Sequence, residues 1–297
     1  MIRTWTTRLP TQNTLVNFAA QLENSSKLLS MTNLLGTTTK IVTSRINLPT
    51  NLNTPAKNTV QIVKKNGQDF TKQQSNRTTH KSDWRGNWSP EVVRNLVLRY
   101  SEEGDVLLDP MIGGGTTAIE AKILNRNILC SDVNDKALDR TKASLDFEVE
   151  NDAWQKVVKH DARDLSKAKD KSVDFTLTHP PYADIIKYSD GKLEDDLSNI
   201  HDIDKFADEM EKVAKELYRV LKPGKFCAIL IGDTRRNKMY QPMAYKVMDR
   251  FMKAGFQLKE DIIKRQFNCK ATGFWVKKSQ ESNFLLIMHE HLFIFQK

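Results

Sequence analysis

From residue 83 onward the apolar positions alternate between short unbroken runs and helical repeats. Ser89, Pro90 and Glu91 form a helix start signal, because a proline fits the first turn, where its missing N–H costs nothing. Val92, Val93, Leu96, Val97 and Tyr100 then recur at helical spacing, and Gly104 ends the pattern. Residues 105–109 are a short apolar run that predicts a buried parallel strand, and residues 116–124 return to the helical rhythm. Further strands are predicted at 127–131, closing with Asp132, at 154–160, leading into Asp161, and at 173–178, stopping at His179. A long amphipathic helix over 206–221 ends at Lys222-Pro223-Gly224, and an apolar strand follows over 225–231. Residues 245–254 predict a helix stopped by Gly255, and the last strands are placed at 284–288 and 291–295. Such alternation predicts an α/β fold: one open, mostly parallel twisted sheet with helices on both faces.

Composition narrows the class. At 297 residues the chain can bury a sizeable core, and no stretch approaches the ~18–20 apolar residues a spanning helix needs. Cys130, Cys227 and Cys269 lack C-x-x-C spacing, which argues against a disulfide scaffold or a zinc domain and suits a reducing cytoplasm. The net charge of +9 is uneven, because residues 1–80 hold ten basic and two acidic residues, a net +8. The predicted organisation is therefore a basic polar arm over 1–80 and a nearly neutral body over 81–297. Polyanions suit the arm, since each Lys or Arg that meets a phosphate releases a counterion. A solvated, partly disordered leader and an organellar leader containing Arg3 and Arg8 are the other readings of the same composition.

Two loops carry the candidate chemistry. The first runs from Asp109 through Gly113, Gly114 and Gly115 to Thr116 and Thr117, a strand end followed by a glycine-rich turn into a helix. Glycines serve where backbone must approach a ligand closely, and the carboxyl end of a first strand is where doubly wound folds hold nucleotide-like cofactors. The loop is neither G-x-G-x-x-G nor a P-loop, so phosphate cradling is not favoured. Asp132 lies 23 residues past Asp109, near the spacing at which a carboxylate grips ribose hydroxyls. A tight packing turn is the other reading of the glycines. The second loop is Thr178-His179-Pro180-Pro181-Tyr182. Two prolines beyond a buried strand freeze a turn, and a hydrogen-bond acceptor beside an aromatic ring suits an extruded base. Alternatively, Tyr182 simply covers the end of the sheet.

In this order and spacing the two loops resemble those of the S-adenosylmethionine-dependent DNA amino-methyltransferases, which modify adenine N6 or cytosine N4. The family's D-P-F-x-G-x-G-T-T appears as Asp109-Pro110-Met111-Ile112-Gly113-Gly114-Gly115-Thr116-Thr117, and its (D/N/S)-P-P-(Y/F) as His179-Pro180-Pro181-Tyr182. Asn87-Trp88-Ser89-Pro90 is similar to the family's additional cofactor element, Ser131–Asn134 to its ribose-binding strand end, and His160–Arg163 to its adenine-binding turn. The resemblance covers residues 83–297 and implies a Rossmann-like methyltransferase fold with S-adenosylmethionine as cofactor. It implies cofactor contacts from Asn87, Trp88, Asp109, Pro110, Met111, Gly113, Gly115, Thr116, Thr117, Asp132, Asn134, Asp161 and Ala162, and a catalytic loop of His179, Pro180, Pro181 and Tyr182, without a metal. It further implies double-stranded DNA as substrate, a prokaryotic cytoplasmic and nucleoid setting, and a cognate restriction endonuclease as companion.

Two departures matter. Met111 replaces the usual Phe, a soft apolar exchange, and His179 stands where adenine enzymes carry Asp or Asn and cytosine enzymes Ser. Adenine N6 is favoured slightly over cytosine N4. An RNA amino-methyltransferase or a non-catalytic partner of such an enzyme are the alternatives, although the presence of both loops argues for activity. The mechanism expected of these residues needs acceptors on the amine, His179 through a neutral ring nitrogen and the Pro180 carbonyl, with Tyr182 stacking on the base. Sequence readout falls to the basic arm, to the polar insert 187–201, or to the basic stretch 264–278 with Phe267, Phe274 and Trp275. Arg235 and Arg236 suit phosphate contacts or a capped surface loop. Glu194, Asp195 and Asp196 read as solvated surface, and His289 and His291 as flanking a strand turn. His160, His201, His289 and His291 share no metal-ligand spacing with a carboxylate on one helix face.

Overall fold

The computed structural model describes residues 84–189, 191–266 and 272–297, together with His80 and the backbone of Thr39–Lys40. Apart from those positions, the basic arm lies outside the described residues, as do Phe267 and Cys269. The strands are β1 (Thr39–Lys40), β2 (Val106–Asp109), β3 (Asn127–Asp132), β4 (Gln155–Lys159), β5 (Val173–Thr178), β6 (Leu221–Ile231), β7 (Thr234–Arg236), β8 (Met239–Gln241), β9 (Gln257–Arg265) and β10 (His289–Gln296). The helices are α1 (Pro90–Tyr100), α2 (Thr116–Ile123), α3 (Asp135–Ser144), α4 (Ile203–Val220), α5 (Met243–Lys253) and α6 (Thr272–Ser282).

Eight strands form one sheet in the order β1-β9-β10-β6-β5-β2-β3-β4, and β7 and β8 form a separate hairpin. Only β10 runs antiparallel to its neighbours in the large sheet; the other pairings are parallel. The strand order reverses between β2 and β5, so a crevice opens at their carboxyl ends. All six residues of β5 are buried, as a strand covered on both faces requires. On one face of the sheet, α4 and α5 pack through Phe206, Met210, Leu217, Val247 and Phe251; on the other, α1 and α2 pack through Val93, Leu96, Val97 and Ala118.

Local chemistry places the elements around the crevice. Ser89 precedes Pro90 at the first turn of α1, as the start signal predicts. Buried Arg94 of α1 grips buried Glu120 of α2 through two hydrogen bonds of 2.5 and 2.9 Å, which fixes the Asn87-Trp88 approach against the glycine turn. Asp202 caps α4 by accepting from the Asp204 and Lys205 amides.

Three expectations are corrected. Helix α4 stops at Val220 and β6 begins at Leu221, so Lys222-Pro223-Gly224 belongs to the start of a strand and not to a separate turn. No strand forms at 284–288: β9 pairs β10 from His289 onward, Leu285 is largely exposed, and the segment only connects α6 to β10. His289 and His291 therefore sit inside β10, with His291 buried. Strand β9 and helix α6 had no counterpart among the predicted elements. The charges of Lys259, Glu260, Asp261 and Lys264 hide the alternation of β9, and α6 has no buried residue to set a helical repeat.

Candidate active site

The glycine turn leaves β2 and enters α2 with Gly115 at the helix start, at φ +89°. A side chain there would be strained and would also crowd the Thr141 backbone. Gly114 has a different reason to lack a side chain: a Cβ would collide with Asn87 Oδ1. The turn is thus shaped for close approach by the Asn87-Trp88 segment.

One cleft at the carboxyl ends of the strands gathers most of the predicted site. Asn87, Trp88, Pro110, Met111, Gly113, Thr116, Asp132, Asn134, Asp161, Ala162, His179 and Pro181 all line it. Asp109, Gly115, Thr117, Pro180 and Tyr182 do not; they stand behind its wall. Asp109 is almost fully buried and accepts from the Met111 amide (3.1 Å), the Thr117 hydroxyl (2.6 Å) and the Thr178 hydroxyl (3.0 Å). It therefore pins the glycine turn to the strand that carries His179. Thr117 also receives the Trp88 indole N–H at 3.2 Å, and the Trp88 ring lies 5.8 Å from that of His179.

Asp132 ties two backbones together, accepting from Gly113 N at 3.0 Å and Asn134 N at 2.9 Å. Burial raises the carboxyls of both Asp109 and Asp132 to about 6, against the pull of their hydrogen bonds. Asp161 is engaged by Arg163, whose guanidinium also meets Glu209 and Asp195.

The second loop is held differently. Both prolines are trans, since the described chain contains no cis peptide bond, and Ala183 follows Tyr182 at φ +48°. A non-glycine residue in that region stores backbone strain, on the order of 1–2 kcal/mol. Tyr182 lies over Gly232, where a Cβ would come within 2.8 Å of its ring. Its hydroxyl donates to Glu290 at 2.8 Å and stands 2.8 Å from His179 Nε2. Lys264 closes the far side of Glu290 through an ion pair. Burial lowers His179 to about 4, so its ring is neutral near pH 7. The Gly86 backbone acts on that ring, but Nδ1 completes no hydrogen bond of normal geometry.

Several lining residues escaped the sequence reading. Trp84 stacks on Tyr188 with ring centroids 6.0 Å apart, and both face the cleft. Asp195, Asp196 and Leu197 also line it, so the acidic run is not simply solvated surface. Asp196 is buried and caps a short 3₁₀ turn by accepting from Ser198 N. The available signal was Leu197, an apolar residue closing a charged run. Glu290 was equally legible in principle, as an acid inside an apolar strand. Arg236 pairs with Asp184 and Arg235 bonds the carbonyls of Lys238 and Leu285, which favours the capped-loop reading of these arginines.

Asp233, His289 and His291 bring one potential ligand atom each within 4.8 Å, a juxtaposition the sequence spacing did not show. Asp233 already accepts from the Tyr240 hydroxyl and the Ala244 amide. Burial opposes protonation of His291, but Asp233 and Asp261 override it and raise the imidazole to about 9, which makes a cationic link between two carboxylates.

Comparison with known proteins adds a family. The profile of the DNA methylases that act at N6 and N4 matches residues 22–143 and 173–297, beginning well before the motif resemblance at residue 83. The type II methyltransferase M.MthZI of Methanothermobacter thermautotrophicus is 30% identical over 149 residues, 45% of this chain and 42% of that protein. A tRNA (guanine(10)-N2)-dimethyltransferase of the same organism is 34% identical over 104 residues, 33% of this chain and 28% of that protein. The chain thus spans less than half the length of these curated relatives. A solved S-adenosylmethionine-dependent methyltransferase from Methanosarcina mazei overlaps 68% of this chain and 96% of its own, with 14% identity and a TM-score of 0.48. The strand order, and not that likeness, defines the fold.

Proposed function

Since the chain belongs to the N6/N4 DNA methylase family, we propose that it moves a methyl group from S-adenosylmethionine to an exocyclic amine of a nucleic-acid base. The single observation that carries this reading is that His179 and Pro181 open onto the same cleft as the glycine turn, Asp132 and Asp161. Electrophile and acceptor loop then share one chamber, which is the geometric requirement for direct transfer.

The residues fit the cofactor. A Cβ at Gly114 would collide with the Asn87 side chain, so the glycine turn and the Asn87-Trp88 segment pack together as one wall of the cleft. Asp132 directs one carboxylate oxygen at the Gly113 amide and the other at the Asn134 amide, and lone pairs remain for ribose hydroxyls. Asn134 and Asp161 extend the same wall. The sulfonium supplies the transferable methyl. The chain's own part is to orient the amine and accept its hydrogen bonds as positive charge develops on nitrogen. His179, neutral and half-buried at the cleft wall, is suited to accept, whereas the Pro180 carbonyl expected as a second acceptor belongs to a residue behind that wall. The base leaves the stack to reach this chamber, as base-modifying enzymes require.

Double-stranded DNA is the proposed substrate, with adenine N6 slightly favoured over cytosine N4, and a cognate restriction endonuclease is the proposed companion. The tRNA guanine-N2 relative favours RNA as the second reading. The test is transfer of labelled methyl from S-adenosylmethionine to duplex DNA, single-stranded DNA and total RNA, followed by mass spectrometry of the nucleosides. N6-methyladenine from duplex DNA is expected. N4-methylcytosine would move the target base, a product found only in RNA would replace the substrate, and no product in any pool would remove the proposal.

A further inference from the structure

We propose that Glu290, acting through the Tyr182 hydroxyl, sets the tautomer of His179 so that Nε2 carries the proton and Nδ1 keeps its lone pair. The inference rests on the proposed reading of the site for its catalytic meaning, but not for its chemistry. Glu290 is a positioning residue here, since it touches neither the cleft nor any reacting atom.

Hydrogen-bond direction is fixed step by step along a chain of four side chains. Lys264 can only donate, and it occupies Glu290 Oε2. A carboxylate can only accept, so at Glu290 Oε1 the proton must come from the Tyr182 hydroxyl, 2.8 Å away. That hydroxyl has one proton, which is now committed, so its oxygen can only accept from His179 Nε2 at 2.8 Å. A neutral imidazole has one N–H. With Nε2 donating, Nδ1 keeps its lone pair; that nitrogen is buried beside the Gly86 backbone and completes no hydrogen bond of normal geometry among the described residues.

Every link keeps the ionisation state this direction requires. Burial and the neighbouring Glu290 hold the Tyr182 hydroxyl well above its ordinary range, so it stays protonated. Burial opposes ionisation of Glu290, yet Lys264 prevails and keeps the carboxyl below its ordinary value. His179 is neutral for the reason already given. The relay crosses the sheet, from β9 and β10 to the loop beyond β5, and Gly232 makes room for it by leaving space under the Tyr182 ring. A residue in the left-handed region at Ala183 directly after the tyrosine indicates that the turn is forced to deliver this ring.

The polarity of the relay can be reversed with one atom. In Glu290→Gln, Lys264 claims the amide oxygen and the NH2 group faces Tyr182. Tyr182 then accepts from the amide and donates to His179 Nε2, which drives the imidazole proton to Nδ1. In Tyr182→Phe the ring is kept and the link is cut, so neither tautomer is enforced.

Long-range proton–nitrogen correlation NMR on histidine-labelled full-length protein reads the tautomer directly, with the His179 signals assigned by their loss in His179→Gln. The expected result is Nε2–H in the wild type, Nδ1–H in Glu290→Gln and a mixture in Tyr182→Phe. Methyl transfer should fall ~100-fold in Glu290→Gln, the scale of a misplaced proton acceptor, while S-adenosylmethionine affinity stays within about two-fold. A wild-type ring protonated at Nδ1, donating toward the Gly86 carbonyl, would overturn the inference. So would a Glu290→Gln ring still protonated at Nε2. If the wild-type tautomer is Nε2–H but no nucleic acid is methylated, the proposed function fails while the relay stands.

Discussion

The two loops that face the cleft are supported from opposite directions. The glycine turn is held by neighbours in sequence: Asp109 reaches Met111 and Thr117, two and eight residues away, and Asp132 reaches back 19 residues to Gly113. The loop after β5 is held from afar, since Tyr182 bonds Glu290 across 108 residues and Glu290 is in turn clamped by Lys264. The difference teaches where function hides in a sequence. Local supports leave a motif, whereas distant ones leave only an unexplained buried acid. One residue belongs to both systems, because Asp109 also accepts from Thr178 at the root of the second loop, 69 residues on.

Removing that shared residue should have the largest effect. Asp109→Ala strands two buried hydroxyls and an amide, each worth ~1–3 kcal/mol when left unpaired. A loss of several kcal/mol in denaturant unfolding is expected, with both cofactor binding and activity gone. An unchanged unfolding midpoint would show that the two loops are not joined there. Asp109→Asn, which keeps acceptor oxygen at the joint, should be milder.

Next in size is the local loop alone. Asp132→Ala should weaken S-adenosylmethionine binding ~10–100-fold, about 1.4–2.8 kcal/mol, in a protein that remains folded by circular dichroism. Calorimetric affinity equal to the wild type would remove Asp132 from the cofactor wall. The same carboxylate predicts a pH effect. Burial raises it to about 6, so it is ionised and accepting above that value and protonated below it. Affinity should be flat above pH 7 and fall as pH drops through about 6, and Asp132→Asn should shrink the dependence to the part that Asp109, raised to the same range, contributes. His179 is held near 4 and contributes no loss of turnover across that window, whereas an unperturbed imidazole would have done so near ~6.5.

The smallest effect concerns the basic arm, whose role in DNA binding is a proposal. Replacing Lys57, Lys64, Lys65, Lys72 and Arg77 with Gln should reduce the slope of log affinity against log salt by ~0.9 for each phosphate the arm no longer neutralises. An identical slope would make the arm a bystander.

Much of the architecture was readable because the chemistry that makes it is local. Residues 173–178 are apolar or threonine except Asp174, whose carboxylate is held by Lys222 and the Val106 amide, and they match β5 to the residue. The glycine turn and Asp132 could be placed in one crevice from spacing, because strand ends of a parallel sheet converge, and the family resemblance added Asp161. Tyr182 could be read as an aromatic near the target, but not as a hydroxyl committed to Glu290, since nothing within its own segment announces a partner on β10. Strand β9 was obscured for a related reason. Its charged residues lie where the sheet is only partly covered, so burial never enforces a clean alternation. Asp196 was passed over because acids usually face water, and here the 3₁₀ turn it caps folds over the cleft.

The proposed role of His179 as acceptor is what would distinguish this chamber from a mere cofactor-binding cleft. The direct measurement is single-turnover methyl transfer by His179→Ala with bound S-adenosylmethionine and duplex DNA, beside the dissociation constants of both. The prediction is a rate reduced ~100-fold with both constants within about two-fold of the wild type, the pattern of an interaction made in the transition state. A full rate in that variant would contradict it and leave the positioning of base and cofactor as sufficient.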